Sequence, residues 1–187
     1  MKYKKLLKNY PILLIKNFEV VDDSKRESLV NIVYTNSKKT SIDLTGYSFP
    51  LFHDPTCFFA NLLKKFRETC VELFGDLKYL PTNNDFCWAY CSNSGDYAEI
   101  WHDHMKTSTI NSVYYLNVPN CSGGEIEFDL GKNKTFKYKP SNFDLLIFPN
   151  YLRHRPLMVN SKELRVSINM EFLCEEQPFY IFDFKER

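Results

Sequence analysis

Three of the four histidines fall in the second half of the chain, at His102, His104 and His154, and the first two are separated by a single residue. In an extended strand, residues i and i+2 point to the same side. His102 and His104 can therefore aim two imidazoles at one point while Asp103 faces away. A third imidazole from His154, on a distant strand, completes a facial set that leaves coordination positions open, and imidazole suits iron, zinc, copper and nickel. The competing explanation is that three half-buried histidines simply satisfy backbone groups.

Eleven residues beyond His154, Arg165 and Ser167 share one face of the last long strand. A guanidinium and a hydroxyl side by side suit a carboxylate, because the fork matches two oxygens and the hydroxyl donates a further bond. Glu163 lies at the mouth of that strand and Glu171 is six residues on. The expected partner of Arg165 is therefore a diacid ligand rather than a side chain. Upstream, Val113-Tyr114-Tyr115-Leu116-Asn117 puts a phenol on a neighbouring strand.

Elements must hold these groups in place. From residue 85 onward the hydrophobic period is two. Phe86–Cys91, Ala98–His104, Thr109–Val118, Glu125–Leu130, Thr135–Tyr138, Asp144–Phe148 and Leu164–Phe172 read as strands separated by Gly, Pro, Asn and Ser turn signals, the spacing of an antiparallel sandwich or barrel. Before them come a strand over Tyr10–Val21 and a helix over 24–36 burying Leu29, Ile32 and Val33. A second helix is capped at Asp54-Pro55, carries Phe58, Phe59, Leu62, Leu63, Phe66, Cys70, Val71 and Phe74 at helical spacing, and closes at Gly75. The organisation is one α+β, mainly β domain over 1–187, with a strand and helix part over 1–80 and a β core over 85–174.

At 187 residues, with 44% hydrophobic residues and only six glycines, the chain is long and apolar enough for one packed core. Its 24 basic and 23 acidic residues balance to +1, which indicates neither nucleic acid nor an anionic membrane as partner. Lys2, Lys4, Lys5 and Lys8 read as a solvated N-terminal face, and the apolar stretch after them, Tyr10–Ile15, is too short for a signal or membrane-spanning segment. A cytoplasmic protein is expected. Cysteines at 57, 70, 87, 91, 121 and 174 form no CxxC framework and read as buried reduced thiols, with Cys87 and Cys91 close enough to the histidine region for one of them to touch a substrate.

Several segments together carry a resemblance. Trp-His-Asp-His at 101–104, Ser-Val-Tyr-Tyr-Leu-Asn at 112–117, Gly-Gly-Glu-Ile-Glu-Phe at 123–128, Asp-Leu-Leu-Ile-Phe-Pro at 144–149, His154 and Arg-Val-Ser at 165–167 occur in one order. They resemble the signature of the 2-oxoglutarate/Fe(II)-dependent oxygenases, in the prolyl-4-hydroxylase-like branch that includes phage and bacterial members of an H-x-H type. The resemblance spans about residues 86–172. It implies a double-stranded β-helix of the jelly-roll or cupin kind, braced by N-terminal helices.

The resemblance further implies Fe(II) as metal and 2-oxoglutarate as cosubstrate, consumed to succinate and CO2 as a small-molecule or peptidyl substrate is hydroxylated. His102 and His154 match the metal histidines. Arg165 would pair with the distal carboxylate of 2-oxoglutarate, helped by Ser167 and Tyr115, and Tyr90 would bond its chelating end. Trp88, Tyr90, Tyr97, Trp101 and Tyr114 are candidate walls of the substrate cavity.

Two positions depart from the family. Where it has Asp or Glu, this chain has His104, so either His104 ligates in register or a bulge turns Asp103 inward. Where it has Gly before Asp144, this chain has Phe143. Two other functions use the same histidines: a 3-His iron dioxygenase that needs no 2-oxoglutarate, and a non-catalytic metal-binding β-sandwich module. The cluster of Tyr115, Arg165 and Ser167 favours the first reading.

Overall fold

The computed structural model describes residues 2–39, 57–75, 78, 87–94 and 100–181. Among these residues, nine strands form two antiparallel sheets. They are β1 (Lys4–Leu7), β2 (Tyr10–Ile15), β3 (Cys87–Ser92), β4 (Ile110–Asn117), β5 (Ile126–Asp129), β6 (Thr135–Tyr138), β7 (Leu145–Pro149), β8 (His154–Pro156) and β9 (Arg165–Phe172). The larger sheet runs β1-β2-β7-β4-β9-β3 and the smaller β6-β5-β8. Helices α1 (Asp23–Lys39) and α2 (Phe58–Phe74) precede β3, and a short α3 (Pro178–Ile181) follows β9. Among the described residues, no helix is long and apolar enough to cross a membrane.

The larger sheet is covered on both faces, which explains why its central strands read as nearly unbroken apolar runs. One face packs Tyr114, Leu116, Ile147, Ile168 and Met170 against Leu29 and Val33 of α1 and Phe59, Leu62 and Phe66 of α2. On the other face, Leu14, Val113, Tyr115 and Phe148 meet Ile126 and Phe128 of the smaller sheet. Alternation sorts each strand between these two cores. Cys87, Ala89 and Cys91 belong to the helix side, so neither cysteine near the histidines faces them. All six cysteines are free; Cys70, Cys91 and Cys174 are buried, and Cys87 is partly buried against the helix-side core.

Helix α1 starts where Asp22 Oδ1 accepts the Lys25 N–H at 2.8 Å, capping its first turn. Gly75, at φ +81°, ends α2 with its N–H donating to Val71 O at 2.8 Å. The Asp54-Pro55 cap lies outside the described residues, and the described part of α2 begins at Phe58, after Cys57 at φ +54°.

Several boundaries correct the sequence reading. The N-terminal lysine run is not only a solvated face, because Lys4 and Lys5 lie in β1, an edge strand of the larger sheet. Charged lysines are what an edge strand uses to discourage pairing with other chains. Strand β2 ends at Ile15 instead of Val21. The expected strand over Ala98–His104 is reduced to one bridge, between His102 and His154, among its described residues 100–104. The Thr107 and Ser108 N–H groups both donate to His104 O at 3.1 Å, so a turn begins where the strand would have continued.

Phe143 adopts φ +67°, the left-handed region that glycine enters freely. The strain is held from both sides. Its N–H donates to Tyr115 O at 2.7 Å, its carbonyl accepts from the Phe18 N–H at 2.9 Å, and its ring packs on the helix-side core. Next to it, buried Asp144 accepts from Lys16 Nζ at 2.9 Å, Tyr138 O–H at 2.7 Å and the Ser141 N–H at 2.8 Å, which fixes the start of β7.

Candidate active site

Backbone pairing brings two of the histidines together. The His102 N–H donates to His154 O at 3.1 Å and the His154 N–H to His102 O at 2.9 Å, while the His104 N–H donates to Asn150 O at 2.9 Å. Outside this ladder, the Trp101 ring lies 4.6 Å from the Arg155 guanidinium, which itself pairs with Glu127 at 2.7 and 2.9 Å. Trp101 thus braces the segment that carries His102 and stands apart from the cavity lining. Arg155 and Lys137 hold the buried Glu127 carboxylate below its usual range against the burial that would raise it.

The three rings converge. His102 and His154 have centroids 4.4 Å apart, and His104 lies 5.2 Å from each. One ring nitrogen from each falls within 4.8 Å of the others, a spacing that a single metal ion can bridge. The orientation of the rings is fixed from behind. His102 Nδ1 lies 3.0 Å from Ile100 O, His154 Nδ1 lies 3.0 Å from Leu152 O, and His104 Nδ1 touches the Glu171 carboxylate. A carbonyl only accepts, so Nδ1 carries the proton in His102 and His154 and the Nε2 lone pair is left for a metal. Burial, and next the neighbouring His102, hold His154 well below the ordinary histidine range, keeping it in that neutral form.

Asp103 is exposed, and its Oδ1 accepts from the Met105 N–H at 3.2 Å. It is not among the converging ligand groups.

A cavity of about 170 Å3 opens beside His102 and His154 between the two sheets. Its floor is built from strand register. Ser167 of β9 pairs with Tyr115 of β4 on one side and Tyr90 of β3 on the other, and the next row is Val113, Asn169 and Trp88. Arg165 enters at the end of this stripe, 3% exposed. Its Nη1 donates to Gly124 O at 2.9 Å, Tyr90 lies 5.6 Å beneath the guanidinium, and its Nε is buried without a partner. Among the described residues, no carboxylate pairs with it.

Gly123 is needed to deliver that carbonyl. At φ +77°, a Cβ there would stand 2.2 Å from Met158 O, in the bridge that aligns Gly124. Burial keeps the Tyr115 phenol protonated, with Arg165 opposing in part, so it is a hydrogen-bond donor in the cavity.

The structure therefore brings together His102, His104 and His154, and gathers Arg165, Ser167, Tyr115, Tyr90 and Trp88 around the adjoining cavity. Tyr114 stands on the opposite face, in the helix-side core, with its hydroxyl donating to Glu19 O. Tyr97 lies outside the described residues. Two residues escaped sequence reasoning: Asn169, on the cavity wall, and Glu171, against His104. Both carry a signal that could have found them, since they continue the odd-numbered polar stripe Arg165, Ser167, Asn169, Glu171 on one face of β9.

No protein-family model matches the chain, and no curated protein does. Solved structures do. A prolyl-4-hydroxylase from Pseudomonas putida superposes with a TM-score of 0.61 at 15% identity, over 89% of this chain and 90% of that one. A prolyl hydroxylase from Trichoplax adhaerens, in complex with a hypoxia inducible factor peptide fragment, gives 0.64 at 17% identity over 94% and 89%. HygX from Streptomyces hygroscopicus, with nickel and 2-oxoglutarate bound, gives 0.62 at 11% identity over 89% and 83%. The fold is that of the prolyl-4-hydroxylases. In this double-stranded β-helix the larger sheet is backed by α1 and α2 and the smaller covers its other face, so that the histidine cluster and the Arg165 stripe lie between the sheets.

Proposed function

We propose that the protein is an Fe(II)- and 2-oxoglutarate-dependent oxygenase that hydroxylates a small-molecule or peptidyl substrate. The observation that carries this reading is the pairing, in one cavity, of three converging imidazoles with a buried guanidinium that lacks a carboxylate partner among the described residues. Nitrogen donors with free Nε2 lone pairs suit iron, and an anion is the natural complement of Arg165.

His102, His104 and His154 hold the metal through Nε2. Asp103 is set aside as the third ligand, because it is not among the converging ligand groups and its carboxylate is engaged with the Met105 N–H. Arg165 grips the distal carboxylate of 2-oxoglutarate, and Ser167 and Tyr115 donate to it from the adjacent row. Tyr90, lying against the guanidinium, belongs at this distal end and not at the chelating end. Trp88 and Asn169 face the remaining space, where substrate enters. When bound, iron and 2-oxoglutarate supply the oxidising chemistry: with O2, they yield succinate, CO2 and a hydroxylated C–H carbon. The protein's own part is to orient the ring nitrogens, anchor the diacid and keep water from the apolar walls.

The test is succinate release from Fe(II)-loaded protein given 2-oxoglutarate and oxygen, with and without free amino acids and proline-containing peptides. Succinate above the metal-free control is expected, rising with a true substrate. A protein that binds iron yet neither binds nor consumes 2-oxoglutarate would be read instead as a 3-His dioxygenase or a non-catalytic module.

A further inference from the structure

Glu171 occupies an unusual position for a carboxylate. It is 3% exposed, on the cavity face of β9, and among the described residues no lysine or arginine pairs with it. Its one close polar neighbour there is Nδ1 of His104, and both carboxylate oxygens otherwise lack hydrogen-bond partners. Directly across the strand register sits Asn111, equally buried. Its Oδ1 accepts from Ser108 and its Nδ2 has no partner. Burying an anion with so little compensation is unfavourable. The arrangement becomes favourable if positive charge arrives on the far side of the His104 ring.

A divalent metal on His104 Nε2 supplies that charge. It acidifies the Nδ1–H, and the carboxylate behind receives the stronger hydrogen bond. Three neutral imidazoles leave the charge of such an ion uncompensated, and Glu171 returns one negative charge through the ring. We propose that Glu171 is a positioning and charge-compensating residue for the metal, fixing the tautomer and direction of His104 and standing in for a directly bound carboxylate. The inference rests on the reading of His104 as a ligand.

Titration with Co(II), followed by its visible absorption, tests this on the full chain. Glu171→Gln, nearly isosteric, is expected to weaken Co(II) binding roughly 10- to 100-fold. The metal-free unfolding midpoint should stay level or rise, since an uncompensated buried charge has been removed; a residue with a merely structural role would lower it. The Fe(III)/Fe(II) midpoint potential should rise in the same variant. His104→Ala should weaken Co(II) further. If Glu171→Gln binds Co(II) like the wild type while His104→Ala does not, the role of Glu171 is wrong and the ligand set stands. If His104→Ala also binds normally, both fall. A third measurement needs no Glu171 variant. Zn(II)-loaded wild type should give a solvent-protected, downfield proton bonded to His104 Nδ1 by nitrogen-edited NMR, and its absence would overturn the proposal.

Discussion

Strand β9 presents two chemistries, one on each face. Toward the helices it offers Val166, Ile168, Met170 and Phe172, all buried in a core that α1 and α2 complete. Toward the smaller sheet it offers Arg165, Ser167, Asn169 and Glu171, of which Arg165, Ser167 and Glu171 are buried polar or charged groups. The first face is satisfied by the chain itself, because dispersion and apolar burial need only shape. The second is not, since among the described residues a buried guanidinium nitrogen has no partner and a buried carboxylate meets only the His104 ring. The contrast separates what folds the molecule from what it binds, and substitutions on the two faces should fail in different assays.

The largest effect on stability is expected on the helix side. Phe66 is fully buried between α2 and the larger sheet, and Phe66→Ala should cost about 3–5 kcal/mol in urea unfolding. Whatever remains folded should still bind metal, because the ring is remote from the histidines. Normal stability in this variant would mean that the helices do not brace the sheet as described. On the cavity side, His154→Ala should instead lower metal affinity a hundredfold or more, about 2.7 kcal/mol, as loss of one of three ligands. Metal content after dialysis reads this directly. Unchanged content would break the ligand assignment.

Arg165→Lys sharpens the same face. It keeps the charge but loses the two-pronged contact, and should weaken 2-oxoglutarate by a charge-assisted hydrogen bond of about 1.5–3 kcal/mol, with metal binding intact. The comparison is a 2-oxoglutarate titration of the Mn-substituted protein and its variant. Equal binding would remove the diacid from the cavity.

How much of this was legible depends on whether the information is local. The odd-numbered stripe of β9 and the helical spacing of Phe58 to Phe74 are periodicities within one segment, and the structure follows both. The split of Tyr114 from Tyr115 is not of that kind. β4 is buried on both faces, so its pattern does not say which phenol meets the cavity and which meets α1. The pairing of His104 with Glu171 joins two distant segments, and nothing local to either encodes it. β8 is three residues long and gains its place from β5 and the bridge to His102, too short to leave a period of its own.

The two faces should also differ in the pH range over which each destabilises the metal-free protein, and this is the smallest effect. On the cavity side, burial holds His154 well below its unfolded value of about 6.5. As pH falls through that value, the unfolded chain takes up a proton that the folded site refuses. Stability is therefore lost toward acid, on the order of 1 kcal/mol between pH 7 and 5.5 for one such group. On the helix side, burial pushes the Cys87 thiol up to about 12, with Arg67 opposing, and raises Cys70 well above its ordinary range. Above about pH 8.5 the unfolded thiols ionise while the folded ones do not, so the helix face loses stability toward alkali. Urea unfolding of metal-free wild type, His154→Ala and Cys70→Ala across this range separates the two. The acid slope should shrink only in the histidine variant and the alkaline slope only in the cysteine variant. His102 is also held down by burial and keeps part of the acid slope in that variant. An acid slope that does not shrink at all in His154→Ala would mean that the imidazole is not buried neutral, and with it would go the argument that its lone pair is held ready for a metal.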